Sequence, residues 1–223
     1  MYREWADPLS GAVVWTRTEG AGAYRVLPDG CMDLLWHDGR LVVCGPDTAA
    51  HVARDRPGGT YVGLRFPPGA GPRLLGAPAR EVRDRRVPLE ALWPQRLAAA
   101  LADRAGDDPA AVLTRWARQR VREAGRADRL SSAVAAALDA GATVRAVAEE
   151  AGLGERALRR RCERDFGYGP KTLARVLRFQ RALALARAGV PLARVAAESG
   201  YADQPHLARE VRSLAAVPLR ELL

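Results

Sequence analysis

Several residue types are scarce in this chain, and each scarcity excludes something. Of its 35 basic residues only Lys171 is a lysine, so the formal charge of +9 is carried by arginine. The three cysteines, Cys31, Cys44 and Cys162, are odd in number and scattered, which excludes a disulfide framework and fits a reducing compartment. Histidine is equally rare: His37 and His51 have no second histidine or carboxylate at ligand spacing, so no metal centre is expected. No apolar run reaches the roughly eighteen residues of a membrane helix. The opening MYREWADPLSGA lacks the basic start and long apolar stretch of a secretory signal. A cytoplasmic protein without a membrane partner is the expectation. Neither a Ser-His-Asp arrangement, a phosphate loop nor a paired-carboxylate site stands out, so neither catalysis nor a cofactor is expected.

What is present is a repeat. With 223 residues the chain has room for two domains, and Ala142 to Pro218 holds two copies of one helical pattern. A shift of 48 positions lays Val144 on Leu192, Val147 on Val195, Ala148 on Ala196, Gly152 on Gly200 and Leu153 on Tyr201. One further residue in the second copy brings Leu158 opposite Leu207. In each copy apolar residues three apart and a small Ala form one face of a short helix. Four residues after the Ala, a Gly can take the left-handed conformation that ends a helix. An apolar residue then plugs the corner, and a second helix begins at Glu155 or Asp203, where a carboxylate suits the positive helix end. The pattern predicts a helix-turn-helix, twice.

Between the copies, Thr172 to Ala188 has no Gly or Pro and spaces Leu173, Val176, Phe179, Leu183 and Ala186 by three and four, which predicts one amphipathic helix. Its length, roughly 25 Å, could hold two units at a separation comparable with one turn of DNA, about 34 Å. Charge is concentrated in the same region. Thr143 to Arg187 carries eleven basic against five acidic residues, a net of +6, with a focus at Arg156 to Arg164.

The pieces GLGERALRRRCERDFGYGP from Gly152, RFQRAL from Arg178 and GYADQPHLAREVR from Gly200 together resemble the DNA-binding domain of the AraC family of transcription regulators, over about Leu130 to Leu223. The resemblance implies double-stranded DNA as partner, an encounter with RNA polymerase, and base-reading residues near the start of each second helix. These are Arg156, Arg159 and Arg160 in the first unit, and Gln204, His206 and Arg209 in the second. Arg pairs with guanine O6 and N7, and Gln with adenine N6 and N7. Each of these residues could equally meet only phosphate or solvent, and Arg161 and Arg164 are expected to meet the DNA backbone or remain surface charge. The end of the chain departs from the family: where a Gly is usual after the last helix, Leu214 is followed by Ala215, Ala216, Val217 and Pro218.

Residues 1–89 differ in texture. Strand-forming runs at Ala12 to Thr18, Tyr24 to Leu27, Asp33 to Trp36, Leu41 to Cys44 and Tyr61 to Phe66 are separated by Pro28-Asp29-Gly30, His37-Asp38-Gly39, Gly45-Pro46-Asp47 and Arg56-Pro57-Gly58-Gly59. They predict a small β-rich domain, a sandwich or barrel, and the resemblance to AraC-like regulators implies a cupin-like barrel. LPDGCMDLLW from Leu27, with VGLRFPPGAG from Val62, resembles a shorter N-terminal domain of some AraC-like proteins. Pro88 to Arg122 changes to a helical period, with Leu92, Leu97 and Leu101, then Val112, Leu113, Trp116 and Val121. Gly106-Asp107-Asp108-Pro109 lies between, Asp108 as cap and Pro109 as first residue. The expected class is α+β: a β-rich sensor or dimerisation domain (1–89), a helical linker region (90–125), and an all-α DNA-binding domain with two helix-turn-helix units (126–223). Ala124 to Asp128 is the expected link and Arg129 to Ala140 the first helix beyond it.

Two readings of the N-terminal half stay open here. Tyr24, Cys31, Trp36, Tyr61 and Arg65, with Trp15, have the composition of a pocket for a small effector, and equally that of a domain core. The helices of 90–125 could pair two subunits, the homodimer that the family resemblance implies, or lie over their own β-domain. An alkyl-accepting repair role for Cys31 and a domain that only dimerises are the alternatives to effector sensing.

Overall fold

The computed structural model describes residues 1–18, 23–54, 59–125 and 128–223. Strands β1 (Tyr2–Ala6), β2 (Val13–Thr18), β3 (Ala23–Val26), β4 (Met32–His37), β5 (Arg40–Cys44), β6 (His51–Arg54) and β7 (Thr60–Phe66) come first. Helices α1 (Gly71–Leu75) and α2 (Ala79–Val82), strand β8 (Arg86–Pro88) and helices α3 (Gln95–Arg104) and α4 (Pro109–Ala124) follow. One antiparallel sheet has the order β1-β2-β7-β4-β5-β8, and β3 pairs with β6 in a separate ribbon. The β-rich domain is therefore an open sheet with a two-stranded ribbon. Most of the expected turn at Arg56-Pro57-Gly58-Gly59, all but Gly59, and the centre of the link at Ala124 to Asp128 lie outside the described residues.

Alternation along the strands gives the sheet two different faces. Val14, Leu34, Leu64 and Phe66 are fully buried on one, against Leu113 and Ala117 of α4 and Leu101 of α3. Of the two arrangements open to the helices of 90–125, the structure takes the second: they cover their own β-domain and share its core. Asp108 caps α4 by accepting the Ala111 N–H at 3.0 Å, with Pro109 as its first residue, as the sequence indicates. Leu97 is the exception to the apolar stripe, half exposed on the outer side of α3. A bidentate ion pair ties α4 to the loop after β1, with Arg118 donating to Asp7 at 2.6 Å.

The C-terminal half is helical: α5 (Arg129–Asp139), α6 (Val144–Glu150), α7 (Glu155–Phe166), α8 (Pro170–Arg187), α9 (Leu192–Glu198) and α10 (Gln204–Ala215). The two copies of the repeat close in the same way. Gly152 and Gly200 have φ of 62° and 77°, and the residues after them, Leu153 and Tyr201, donate back to the carbonyls of Ala148 and Ala196, both at 2.9 Å. These are two Schellman ends, which need a left-handed residue at that position. Pro170 opens α8 as its first residue, where its missing N–H would have had no partner.

α8 belongs to two cores. Leu173, Val176 and Leu177 are buried with α5, α6 and α7, whereas Phe179, Ala182, Leu183 and Ala186 are buried with α9 and α10. Burying each large apolar side chain contributes about 1.5–3 kcal/mol, so both ends of the strut are held firmly. The two halves of the chain also meet. Ala50 donates to the Leu214 carbonyl at 2.6 Å, Gln180 to that of Pro28 at 2.6 Å and Arg83 to that of Gly167 at 3.2 Å.

Candidate nucleic-acid interface and interdomain cavity

Each second helix of the repeat buries one stripe and leaves another bare. In α7, Leu158, Cys162 and Phe166 face the core, while Arg156, Arg159 and Arg160 are exposed. Arg159 is engaged by Glu163 one turn on, at 2.8 Å. Arg156 and Arg160, four residues apart and so on one side of the helix, have no hydrogen bond or ion pair among the described residues. Arg161 is mostly buried: it donates to Asp165 at 2.8 Å and also bonds Asp128, the N-cap of α5. Arg164 donates to the same buried Asp165 at 2.7 Å, as does the Ser131 hydroxyl at 2.6 Å. Arg161 is thus drawn inward as partner of an internal carboxylate, whereas Arg164 stays at the surface, half exposed, with its guanidinium on the same Asp165.

In α10, Asp203 is the cap, accepting the His206 N–H at 2.6 Å. Gln204 and Arg209 are exposed. His206 is half-buried: its ring meets Tyr201 edge-on, and its Nδ1 accepts the Ala202 N–H at 3.3 Å. The imidazole thus fixes the helix entry, in addition to whatever it presents outward. Ala216 stands where the Gly of the family is absent and takes the same left-handed conformation, φ 59°, so α10 ends normally.

The second face of the sheet is polar and looks toward α8. Register places Arg65 beside Asp33, Asp33 beside Cys44, and Cys44 beside Arg86, one row across four strands. Above it a cavity of about 640 Å³ is flanked by β3 and by Gln180, Leu183 and Arg187 of α8 and opens to solvent. Trp15 lies flat across Gly63, where a Cβ would fall 2.0 Å from the indole, and donates its Nε1–H to Asp33 at 2.7 Å. Arg86 is closed off by a bidentate pair with Asp47, at 2.6 and 2.7 Å. Arg65 is shared among Asp29 at 3.3 Å, Asp33 at 3.7 Å and Glu4 at 3.9 Å. Burial pushes the Asp33 carboxyl up to about 6 and that of Asp29 in the same direction, against the attraction of Arg65.

Of the residues expected to line a pocket, Tyr24, Cys31 and Arg65 do, together with Trp15. Trp36 does not: it shares the parity of Met32 and Leu34 and packs in the core on the opposite face. Tyr61 is on the polar face but outside the cavity, stacked on His37 with ring centroids 3.9 Å apart. Burial, and then Asp29 and Asp33, push the Cys31 thiol well above its usual range, which suits packing and disfavours a thiolate nucleophile. Asp47, Arg86 and the α8 residues went unsuspected, because a cavity wall supplied by a helix 150 residues away leaves no local pattern. The parity of Arg65 and Asp33 on their strands was the available signal.

Family models match two parts of the chain: a helix-turn-helix domain at residues 147–223 and a domain of unknown function, DUF6597, at residues 12–88. No curated protein matches the sequence. Among solved structures the chain is similar in fold to ToxT of Vibrio cholerae. A one-lysine variant of apo ToxT from strain SCE256 gives a TM-score of 0.52 at 10% identity, covering 94% of this chain and 96% of ToxT. ToxT of strain O395 bound to (E)-4-(8-methylnaphthalen-1-yl)but-3-enoic acid gives 0.51 at 10% identity, covering 95% and 98%. No helix among the described residues is long and apolar enough to cross a membrane. With two Schellman-ended helix-turn-helix units on one strut, behind a domain of the DUF6597 type, the chain is a DNA-binding transcription regulator with a helix-turn-helix domain of the AraC type.

Proposed function

We propose that the two units read successive major-groove segments on one side of a duplex, with α7 and α10 as the reading helices. The observation that carries this is the exposure of Arg156 and Arg160 in one unit and of Gln204 and Arg209 in the other, on helices held by one strut of 18 residues. Arg156 and Arg160 suit guanine edges, and Gln204 suits adenine. Arg159 must first leave Glu163, and His206 its own cap, so both are secondary readers. We read the cavity as an effector site. It touches both the sheet and α8, so a ligand there could bias how the reading units are held. A ToxT structure holding a butenoic acid supports the idea that this fold accommodates a ligand.

The chain acts in this reading as a cytoplasmic, non-catalytic regulator that engages RNA polymerase from its DNA site. Because α3 and α4 spend their apolar faces on their own sheet, a homodimer would use another surface. The exposed edge strand β1, with Tyr2 and Trp5 half exposed, is a candidate. Selection of bound duplexes from a random library tests the reading. Two motifs about one helical turn apart are expected. Arg160→Ala should cost about 1–3 kcal/mol and relax one position in the first motif, and Arg209→Ala should do so in the second. An equal loss on every sequence would assign these arginines to the DNA backbone instead.

A further inference from the structure

The charges around the cavity are unevenly placed. On the floor three carboxylates, Glu4, Asp29 and Asp33, lie within 4 Å of a single guanidinium, that of Arg65. The neighbouring pair Asp47–Arg86 is already saturated. In the walls the sign reverses. Among the described residues half-buried Arg25 of β3 has no carboxylate partner, and Arg187 of α8, exposed at the rim, donates to the Leu222 carbonyl at 3.3 Å. The floor carboxylates Asp29 and Asp33 are largely shielded from water, where a charge is costly unless it is paired, whereas the wall arginines stand open to an anion. A cation against the floor and an anion against the walls would satisfy both regions together.

We propose that the cavity binds a small zwitterion, an amine-bearing acid, with its ammonium or guanidinium among Asp29, Asp33 and Glu4 and its acidic group toward Arg25 and Arg187. This rests on reading the cavity as the effector site and names the ligand class. A simple aliphatic acid would leave the floor carboxylates sharing Arg65 and lay its chain over them. A simple amine would leave both wall arginines without an anion. A bare metal ion fits poorly, since the Arg65 guanidinium already stands between the carboxylates. The volume, about 640 Å³, suits a molecule of metabolite size, and Trp15, Tyr24 and Leu183 provide apolar surface for the part between its two charges. Occupancy also has a route to the DNA-binding half. Asp29 sits between Pro28, whose carbonyl accepts from Gln180 of α8, and Gly30, which lies against Tyr168 and Leu173.

Calorimetric titration of the full-length protein tests the assignment, with 6-aminohexanoate, L-arginine and glycyl-phenylalanine against hexylamine, hexanoate and oleate. At least one zwitterion should bind about tenfold or more tightly than every single-charge compound. Asp33→Asn, which keeps an acceptor for Trp15, and Arg25→Ala should each weaken it about tenfold while circular dichroism shows the fold retained; Asp29→Asn is the second floor variant should Asp33→Asn fail to fold. Tighter binding of hexanoate or oleate, no binding of any zwitterion, or indifference to these substitutions would overturn the proposal. Affinity for the selected duplex, measured in parallel, keeps two failures apart. Oleate binding that alters DNA affinity would refute the ligand class alone. A zwitterion that binds without altering DNA affinity would refute the effector reading alone.

Discussion

At the scale of single residues, the polar face of the sheet depends on Gly63. Only a residue without a Cβ lets the Trp15 indole lie across the strand and reach Asp33. Gly63→Ala should destabilise the fold by about 1–3 kcal/mol through overpacking, seen in urea unfolding together with a changed tryptophan emission. An unchanged midpoint would mean that the indole is not held there. Two carboxylates give opposite pH dependences. Asp33 is raised to about 6 by burial, so the unfolded chain gives up that proton first and stability falls as pH rises from about 4 to 6. Asp7 is lowered to about 2, chiefly by its hydrogen bond from Arg118. Its contribution is complete above about 4 and is lost as pH falls toward 2. Melting temperature against pH should therefore lose the first slope in Asp33→Asn and the second in Asp7→Asn. Side-chain direction was only half legible in the sequence. Arg65 and Cys31 lie on the cavity side, but Trp36, whose aromatic character suits a pocket equally well, shares the parity of Leu34 and packs in the core.

At the scale of elements, what was legible is what local chemistry dictates. The helix-turn-helix units, the strut and the Asp108-Pro109 start of α4 depend on spacing, capping and Gly, all of which are written in order along the chain. Strands β1 and β6 went unforeseen because YREWA and HVAR lack a run of β-branched residues, and partners supply what propensity does not. Helix α1 was hidden in a Gly- and Pro-rich stretch, although Pro72 sits in the first turn, where a helix tolerates it. The end of α10 shows a family Gly replaced at a cost. Ala216 holds φ 59°, which disfavours a residue with a Cβ by about 1–2 kcal/mol, partly offset by its lower entropy when unfolded. Ala216→Gly should stabilise the protein by about 1 kcal/mol in chemical denaturation. A loss of stability would show that Ala216 contributes packing that outweighs its backbone strain.

At the scale of the whole molecule, the two reading helices are held as one body. α8 is buried in both helix-turn-helix cores, and the β-domain touches each unit, through Arg83 and Gly167 on one side and Ala50 and Leu214 on the other. None of these interdomain contacts could be read from the sequence, since each joins residues far apart in the chain through backbone carbonyls that any residue could supply. The central claim, two units fixed at one spacing, is tested most directly by adding about five base pairs, half a helical turn, between the two motifs of the selected duplex. The account predicts that binding falls to the level of a duplex with a single motif, because the strut cannot turn one unit to the opposite side of the DNA. Undiminished affinity for the lengthened duplex would contradict it and show that the two units move independently.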